Sequence, residues 1–338
     1  MRRPSPPPRR RRALAALLLA VALVAASGCQ SPRADDPAEP DSSRADGPDT
    51  PSSSSPSGRP TGPATQPGED RTPQIPSVPD AAPVGQGTDF VVASFNVLGH
   101  RHTVPSGNRP RFADSRVRMV GAVDLLRRTD VSVAGLQEFH RVQLWAFQDI
   151  APEYAVWPGL ELGGGIVQNS IVWRRSEWRK VAGDVVDIPY FGGTPHPMPF
   201  VLLEHRRTGR QVWFANFHNP ANVRGPAEQW RREARRTQAA LTNRLLETGR
   251  EVIVTGDMNE KWTYACRVGR RAPLRSADGS GWRDGGCTPP AAGWIDWILG
   301  TPGIRFDAHV VDQTPVGSTS DHPLIRARVS IAGDGGDG

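Results

Sequence analysis

The chain has 338 residues, 33 of them proline and 35 glycine, and its hydrophobic content of 37% falls below the roughly 45–50% of an ordinary globular chain. The deficit lies almost wholly before residue 90, which excludes a polytopic membrane protein and favours one folded domain behind a long leader over two domains. Ten arginines and ten acids precede residue 90, so the formal net charge of +6 belongs to the remainder, and a basic domain favours polyanionic partners.

Arg2, Arg3 and Arg9 to Arg12 precede an apolar run from Ala13 to Ala26, followed by Ser27, Gly28 and Cys29. As a helix that run would measure about 21 Å, short of the roughly 30 Å hydrocarbon core, so residues 1–28 read as a secretory signal. Ala26-Ser27-Gly28-Cys29 resembles a bacterial lipoprotein signal, in which Cys29 receives lipid and becomes the new N-terminus. A plain cleaved signal and an uncleaved anchor are the alternatives, and the paired arginines suit the twin-arginine route as well as the general one. The protein is therefore expected outside the cytoplasm, lipid-anchored to the membrane or secreted. If Cys29 carries lipid, Cys266 and Cys287 remain to form one disulfide.

Residues 29–89 are rich in Pro, Ser and Asp, with almost no large apolar side chain before Ile75, and read as a disordered stalk. At the polyproline rise it reaches at most about 190 Å. Residues 90–331 form the expected domain, and 332–338 a flexible tail.

Within the domain, Phe90 to Val97 is a buried-strand pattern and Asp114 to Arg128 a helix with Val117, Val120, Ala122, Val123, Leu125 and Leu126 on one side. A strand from Val131 to Leu136 and a helix from Arg141 to Ile150 follow. Further strands are predicted at Ser170–Trp173, Trp178–Ile188, Phe200–Glu204 and Val212–Phe217. A basic helix from Pro226 to Glu247 leads to strands at Glu251–Thr255, Trp294–Leu299, Ala308–Val311 and Pro323–Val329. Mixed elements of this kind imply an α/β sandwich.

Polar residues cluster where these strands end: Asn96, Gln137-Glu138, His218-Asn219, Gly256-Asp257-Met258-Asn259, Asp296 and Ser320-Asp321-His322. Carboxyl ends of buried strands share one rim, where α/β proteins place ligands. Taken singly, Gly256-Asp257-Met258-Asn259 also reads as an Asx turn and Glu138 as a helix-capping carboxylate.

In order, Ser94-Phe95-Asn96, Leu136-Gln137-Glu138, Asn216-Phe217-His218, Gly256-Asp257-Met258-Asn259, Ile295-Asp296-Trp297 and Ser320-Asp321-His322 resemble the motifs of the endonuclease/exonuclease/phosphatase superfamily, which includes deoxyribonuclease I. The resemblance covers about 240 residues. It implies a deoxyribonuclease I-like four-layer α/β sandwich, two mixed β-sheets packed face to face and flanked by helices. It also implies hydrolysis of phosphodiesters by direct in-line attack of water. By the same resemblance Glu138 is the principal ligand of Mg²⁺ or Mn²⁺, supported by Asn96 and Asp321. Asp257 and Asn259 orient the attacking water, Asn259 also contacts phosphate, Asp296 steadies the His322 cation, and His218 donates to the phosphate. Deoxyribonuclease I has a second glutamate just before the strand matching Ser170 to Trp173. Here Val167, Gln168 and Asn169 stand there, which leaves His218 without that partner and makes Asn169 either a substrate contact or a turn residue.

The substrate is less defined. Arg224, Arg231, Arg232, Arg235 and Arg236 either contact nucleic-acid phosphates or form a solvated helix face. Tyr190-Phe191-Gly192-Gly193 with Met198 and Phe200 reads either as a membrane-touching hairpin or as a buried crossover. A Cys266–Cys287 disulfide around an arginine-rich loop resembles one in deoxyribonuclease I and favours DNA. Phospholipid, sphingomyelin or a small phosphate is the alternative substrate, and a silent binding module is disfavoured because no motif position is replaced.

Overall fold

A computed structural model of the protein describes residues 73–334. The expected signal, the Cys29 lipidation site, the stalk before residue 73 and the last four residues lie outside the described residues.

The elements in chain order are β1 (Thr88–Asn96), α1 (His100–Thr103), α2 (Ser115–Arg128), β2 (Val133–Gln137), α3 (Arg141–Ile150), β3 (Tyr154–Trp157), β4 (Ile171–Arg174), β5 (Trp178–Pro189), β6 (Pro195–His205) and β7 (Gln211–His218). They continue with α4 (Glu228–Leu246), β8 (Val252–Asp257), α5 (Tyr264–Gly269), β9 (Arg275–Ser276), β10 (Gly281–Arg283), β11 (Gly286–Thr288), β12 (Asp296–Gly300), β13 (Arg305–Asp312) and β14 (Leu324–Ile331). One six-stranded sheet has the order β13-β14-β1-β2-β4-β3 and the other β5-β6-β7-β8-β12-β9. Both are mixed, since β1 runs parallel to β2 and β7 to β8, while their other neighbours are antiparallel. The four-layer sandwich implied by the sequence is the fold observed.

Three apolar layers hold it together. Phe90, Val92, Trp178, Leu203, Phe214 and Ile298 fill the space between the sheets. Met119, Leu125, Leu126, Leu144 and Phe147 of α2 and α3 cover the first sheet, and Leu241, Leu245 and Tyr264 of α4 and α5 cover the second. Each such side chain, fully buried, contributes about 1.5–3 kcal/mol. The sheets approach closely at Gly135, where an added Cβ would lie 2.1 Å from Thr255 Oγ1 and 2.4 Å from Asn216 Oδ1. Only a residue without a side chain fits there.

Three expectations need correction, and one open choice is decided in favour of the buried crossover. In α2 the inward face carries Arg118, Met119, Ala122 and Val123, whereas Val117 and Val120 are 63% and 57% exposed. The helix is rotated to bury Arg118, whose guanidinium donates to the carbonyls of Val97, Leu98, Ala113 and Thr319 at 2.7–3.0 Å. The expected stalk is packed against the domain from residue 73: Ile75 and Val78 rest on the core, and Arg250 donates to the Pro79 carbonyl. The expected tail is tied down at Asp334, which accepts from the Val84 N–H and pairs with Arg210, both at 2.7 Å. Met198 and Phe200 are fully buried, so the β5–β6 connection presents no membrane-touching apolar tip built on them. Strand β3, helix α5 and the β10–β11 hairpin are absent from the sequence reading, being short segments flanked by charged or glycine-rich stretches. Among the described residues no helix is long and apolar enough to cross a membrane.

Candidate active site

Register places the site. In the first sheet Asn96 stands opposite Gln137, and in the second His218 stands opposite Asp257 and Asp257 opposite Asp296. Because β12 runs against β8, the first residue of β12 arrives where β8 ends. Five strand termini therefore meet at one rim, and the two sheets join there through Asn96, whose Nδ2 donates to Glu138 Oε1 at 3.1 Å and to Asp257 Oδ2 at 3.3 Å.

Glu138 directly follows β2 in a left-handed conformation, φ 56°, which turns its carboxylate back toward β1. There Oε2 accepts the Gly99 N–H at 2.8 Å and lies 3.4 Å from His102 Nε2. Burial opposes its ionisation, but His218, His102, the Gly99 N–H and the Asn96 amide outweigh burial and hold its pKa at about 2. It does not cap α3. That task falls to His140 and Gln143, and the Gln143 amide oxygen also accepts the His100 N–H.

Asp257 ends β8, is almost fully buried, and lies between two imidazoles: its Oδ2 is 3.6 Å from His218 Nε2 and 3.7 Å from His322 Nε2. These gaps exceed a hydrogen bond and suit groups that close on a substrate oxygen. Its Oδ1 accepts the Asn259 N–H at 2.9 Å, and Asn259 Nδ2 donates to the Asn219 carbonyl at 2.9 Å. The Asx turn is thus real and also serves the site, fixing Asn259 beside the carboxylate. His322 Nδ1 faces both oxygens of buried Asp296, at 3.1 and 3.0 Å. Burial works against the His322 charge, yet Asp296, Asp257 and Asp321 outweigh it and raise its pKa to about 10. Burial raises the Asp296 carboxyl as well, so the two groups titrate as one pair, in which the carboxylates facing the ring favour the imidazolium.

The remaining expected residues are nearby, in different roles. Asp321 pairs with Arg109 Nε at 3.3 Å. His218, expected to lack a carboxylate, has Asp257 as its nearest acid. Tyr190 sits edge-on to His218, with ring centroids 5.9 Å apart, and stacks on His196, whose Nε2 lies 3.4 Å from Asn169 Nδ2. Asn169 is 1% exposed, and its Oδ1 has no hydrogen-bond partner among the described residues, as suits a group awaiting a ligand. Phe191 lies beneath the Arg224 guanidinium at 5.1 Å. Cys266 and Cys287 are joined by a disulfide, linking α5 to the β10–β11 hairpin.

Sequence reading missed His102, Arg109 and His196, and placed Tyr190 in a hairpin or crossover rather than beside His218. The signal for His102 was a pair of histidines four and six residues past the end of β1, a strand end that Asn96 had already marked.

A divalent cation fits this chemistry on the Glu138 side, where an ionised carboxylate and the Asn96 amide supply hard oxygen atoms. There the Asn96 amide presents its nitrogen to Glu138 and Asp257 and its oxygen to the Leu98 N–H, so it would offer oxygen to an ion only after a half-turn that exchanges those contacts. Asp257, Asp296 and His322 also offer ligand atoms within 4.8 Å of one another. There the His322 imidazole is already engaged by both carboxylates, through Nδ1 with Asp296 and through Nε2 toward Asp257, so the Glu138 side is the better cation site.

Of the arginines expected to face a polyanion, Arg231 and Arg235 are buried: Arg231 holds the Pro220 carbonyl, and Arg235 pairs with Glu260. Arg236 pairs with Glu233 and Arg267 with Glu260. Among the described residues Arg224, Arg232, Arg271, Arg275 and Arg283 are exposed and have no carboxylate partner.

The sequence profile of the Endonuclease/Exonuclease/phosphatase family matches residues 93–322. No curated protein matches the chain. Among solved structures, the chain is similar to an endonuclease/exonuclease/phosphatase family protein from Bacteroides thetaiotaomicron, with a TM-score of 0.57 and 17% identity over 73% of this chain and 99% of that one. It is similar to a mannosyl-6-phosphatase from the same organism, with a TM-score of 0.54 and 16% identity over 71% and 99%. It also resembles D. rerio TDP2 complexed with a single-strand DNA product, with a TM-score of 0.50 and 16% identity over 72% and 99%. At these identities the likeness is one of fold.

Proposed function

Since the chain belongs to the endonuclease/exonuclease/phosphatase family, whose members hydrolyse phosphoesters and generally depend on a divalent metal, we propose that it is an extracytoplasmic phosphodiesterase that cleaves DNA by direct attack of water. The observation that carries this reading is the position of Asp257 Oδ2 midway between His218 Nε2 and His322 Nε2, 3.6 and 3.7 Å away. A carboxylate so placed accepts a proton from water, and the imidazoles on either side donate to phosphate oxygens.

Asp257 is the group that orients the water and takes its proton, with Asn259 held beside it by the turn. His322, kept cationic by Asp296, and His218 offer N–H donors to the phosphate as it gains charge. Asn169 contributes an amide. Glu138 and Asn96, joined by Asp321 if that carboxylate leaves Arg109, would hold Mg²⁺ or Mn²⁺. When bound, such an ion shields phosphate charge and stabilises the departing oxygen. No side chain forms a covalent intermediate in this scheme.

DNA is favoured by the exposed, unpaired arginines and by the disulfide, which suits an oxidising compartment. The D. rerio relative was solved with a DNA product. The apolar run before Cys29 supports export and lipid anchoring. A second reading, cleavage of a lipid headgroup, draws on Trp262 and Trp294, 49% and 37% exposed and close in sequence to Asn259 and Asp296.

Incubating the protein with supercoiled plasmid, sphingomyelin liposomes and a sugar phosphate, each with and without EDTA, tests the choice. Nicking of plasmid only in the metal-containing lane is expected. Turnover confined to liposomes or to the sugar phosphate would exclude DNA.

A further inference from the structure

We infer that His102 is a metal ligand beside Glu138, giving a mixed nitrogen and oxygen site that prefers Mn²⁺ and Co²⁺ to Mg²⁺. The inference rests on the reading of the Glu138 side as the cation site.

Three features of His102 lead there. Its Nε2 lies 3.4 Å from Glu138 Oε2, beyond an ordinary N–H to oxygen hydrogen bond. Two donors each about 2.1 Å from one ion lie about 3.4 Å apart at the tetrahedral angle and about 3.0 Å at a right angle, so the pair is already spaced to share a cation. Next, the ring is held in the matching tautomer. Its Nδ1 is 2.9 Å from Asn108 Oδ1, an acceptor that keeps a proton on Nδ1, so a cation that displaces the Nε2 proton finds that lone pair directed beside the carboxylate. Finally, the turn that carries it is fixed. His100 Nδ1 meets Ser115 Oγ at 2.7 Å, the His100 N–H donates to Gln143, and Arg118 bonds Thr103 Oγ1 and the Leu98 carbonyl.

The neighbouring imidazole does not take this part. His140 Nδ1 accepts the Arg101 N–H, which puts its own proton on Nε2 and removes the lone pair from the Glu138 side. With side-chain exposures of 40% and 20%, His102 and Glu138 leave an entry path from solvent. An imidazole nitrogen adds affinity for Mn²⁺ and Co²⁺, whereas Mg²⁺ prefers oxygen and its own waters.

Titration calorimetry of the full chain with Mn²⁺, Co²⁺ and Mg²⁺ tests this without reference to turnover. The wild type is expected to bind Mn²⁺ at least about tenfold more tightly than Mg²⁺. His102→Ala is expected to weaken Mn²⁺ and Co²⁺ by about 10- to 100-fold while changing Mg²⁺ by less than about twofold. Asn108→Ala, which frees the ring without removing it, falls between. Bound Mn²⁺ should show ¹⁴N hyperfine coupling in pulsed EPR that disappears in His102→Ala. Mn²⁺ affinity in His102→Ala within about twofold of wild type would overturn the inference while leaving the cation site intact, provided that Glu138→Gln still weakens both ions. Failure of the wild type to bind any of the three ions would overturn both the inference and the reading beneath it.

Discussion

Asp296 receives the His322 imidazole with both carboxylate oxygens, at 3.1 and 3.0 Å from Nδ1, while the opposite nitrogen of the same ring stands 3.7 Å from Asp257. One side chain thus links the carboxylate that opens β12 to the carboxylate that ends β8.

Asp296 should matter through His322 alone. Asp296→Asn keeps shape and burial but removes the charge that sustains the imidazolium, so kcat is expected to fall by about 10²- to 10⁴-fold with little change in KM. Steady-state kinetics on plasmid or oligonucleotide, paired with circular dichroism, checks it. An unchanged kcat would remove Asp296 from the mechanism.

Stability should follow the same proton. The folded pKa of His322, about 10, lies above its ordinary 6.5, so the pair stabilises the fold fully below pH 6.5 and loses that contribution as pH rises through 10. The melting-temperature advantage of wild type over His322→Gln is expected to be largest near pH 6 and to shrink by pH 10. An advantage that grows with pH would contradict the charge assignment.

Arg118 joins the end of β1, α2 and the loop before Asp321. Arg118→Met leaves the carbonyls of Val97, Leu98, Ala113 and Thr319 without this donor, at a cost of more than about 3 kcal/mol in urea unfolding. The cost should exceed that of Val117→Ala on the exposed face of the same helix, which is expected within about 0.5 kcal/mol of wild type.

The Cys266–Cys287 bond spans 21 positions, and a loop of that length contributes about 3 kcal/mol by restricting the unfolded chain. Cys266→Ser with Cys287→Ser should lower the melting temperature by roughly 6–12 °C for a domain of this size. Calorimetry of oxidised and mutant protein gives the comparison.

Much of this was legible in sequence because strand ends carry the chemistry. Asn96, Glu138, His218, Asp257 and His322 each follow or border an apolar run, and such runs mark strands whatever they later pair with. The orientation of α2 was not legible. Periodicity alone cannot tell that a buried arginine will outbid Val117 and Val120 for the inner face, because the four carbonyls that make burial of Arg118 favourable come from three separate segments. The arginines of α4 show the same limit: five look alike in a row, but Arg231 and Arg235 are consumed by Pro220, Asn222 and Glu260 once the chain folds.

By itself the sequence determined the order and type of the main elements, because hydrophobic periodicity and residue type are local properties, and its motifs, through their resemblance to a known family, implied the four-layer class and a set of candidate site residues. Only the tertiary structure decided that Asp257 faces both His218 and His322, that Asp321 turns to Arg109 and that His102 stands against Glu138. Those relations join residues from 36 to more than 200 positions apart, and their distances depend on the register of β1, β8 and β12 and on how closely two sheets approach at Gly135. Proximity across such separations is set by packing, which no stretch of chain specifies alone.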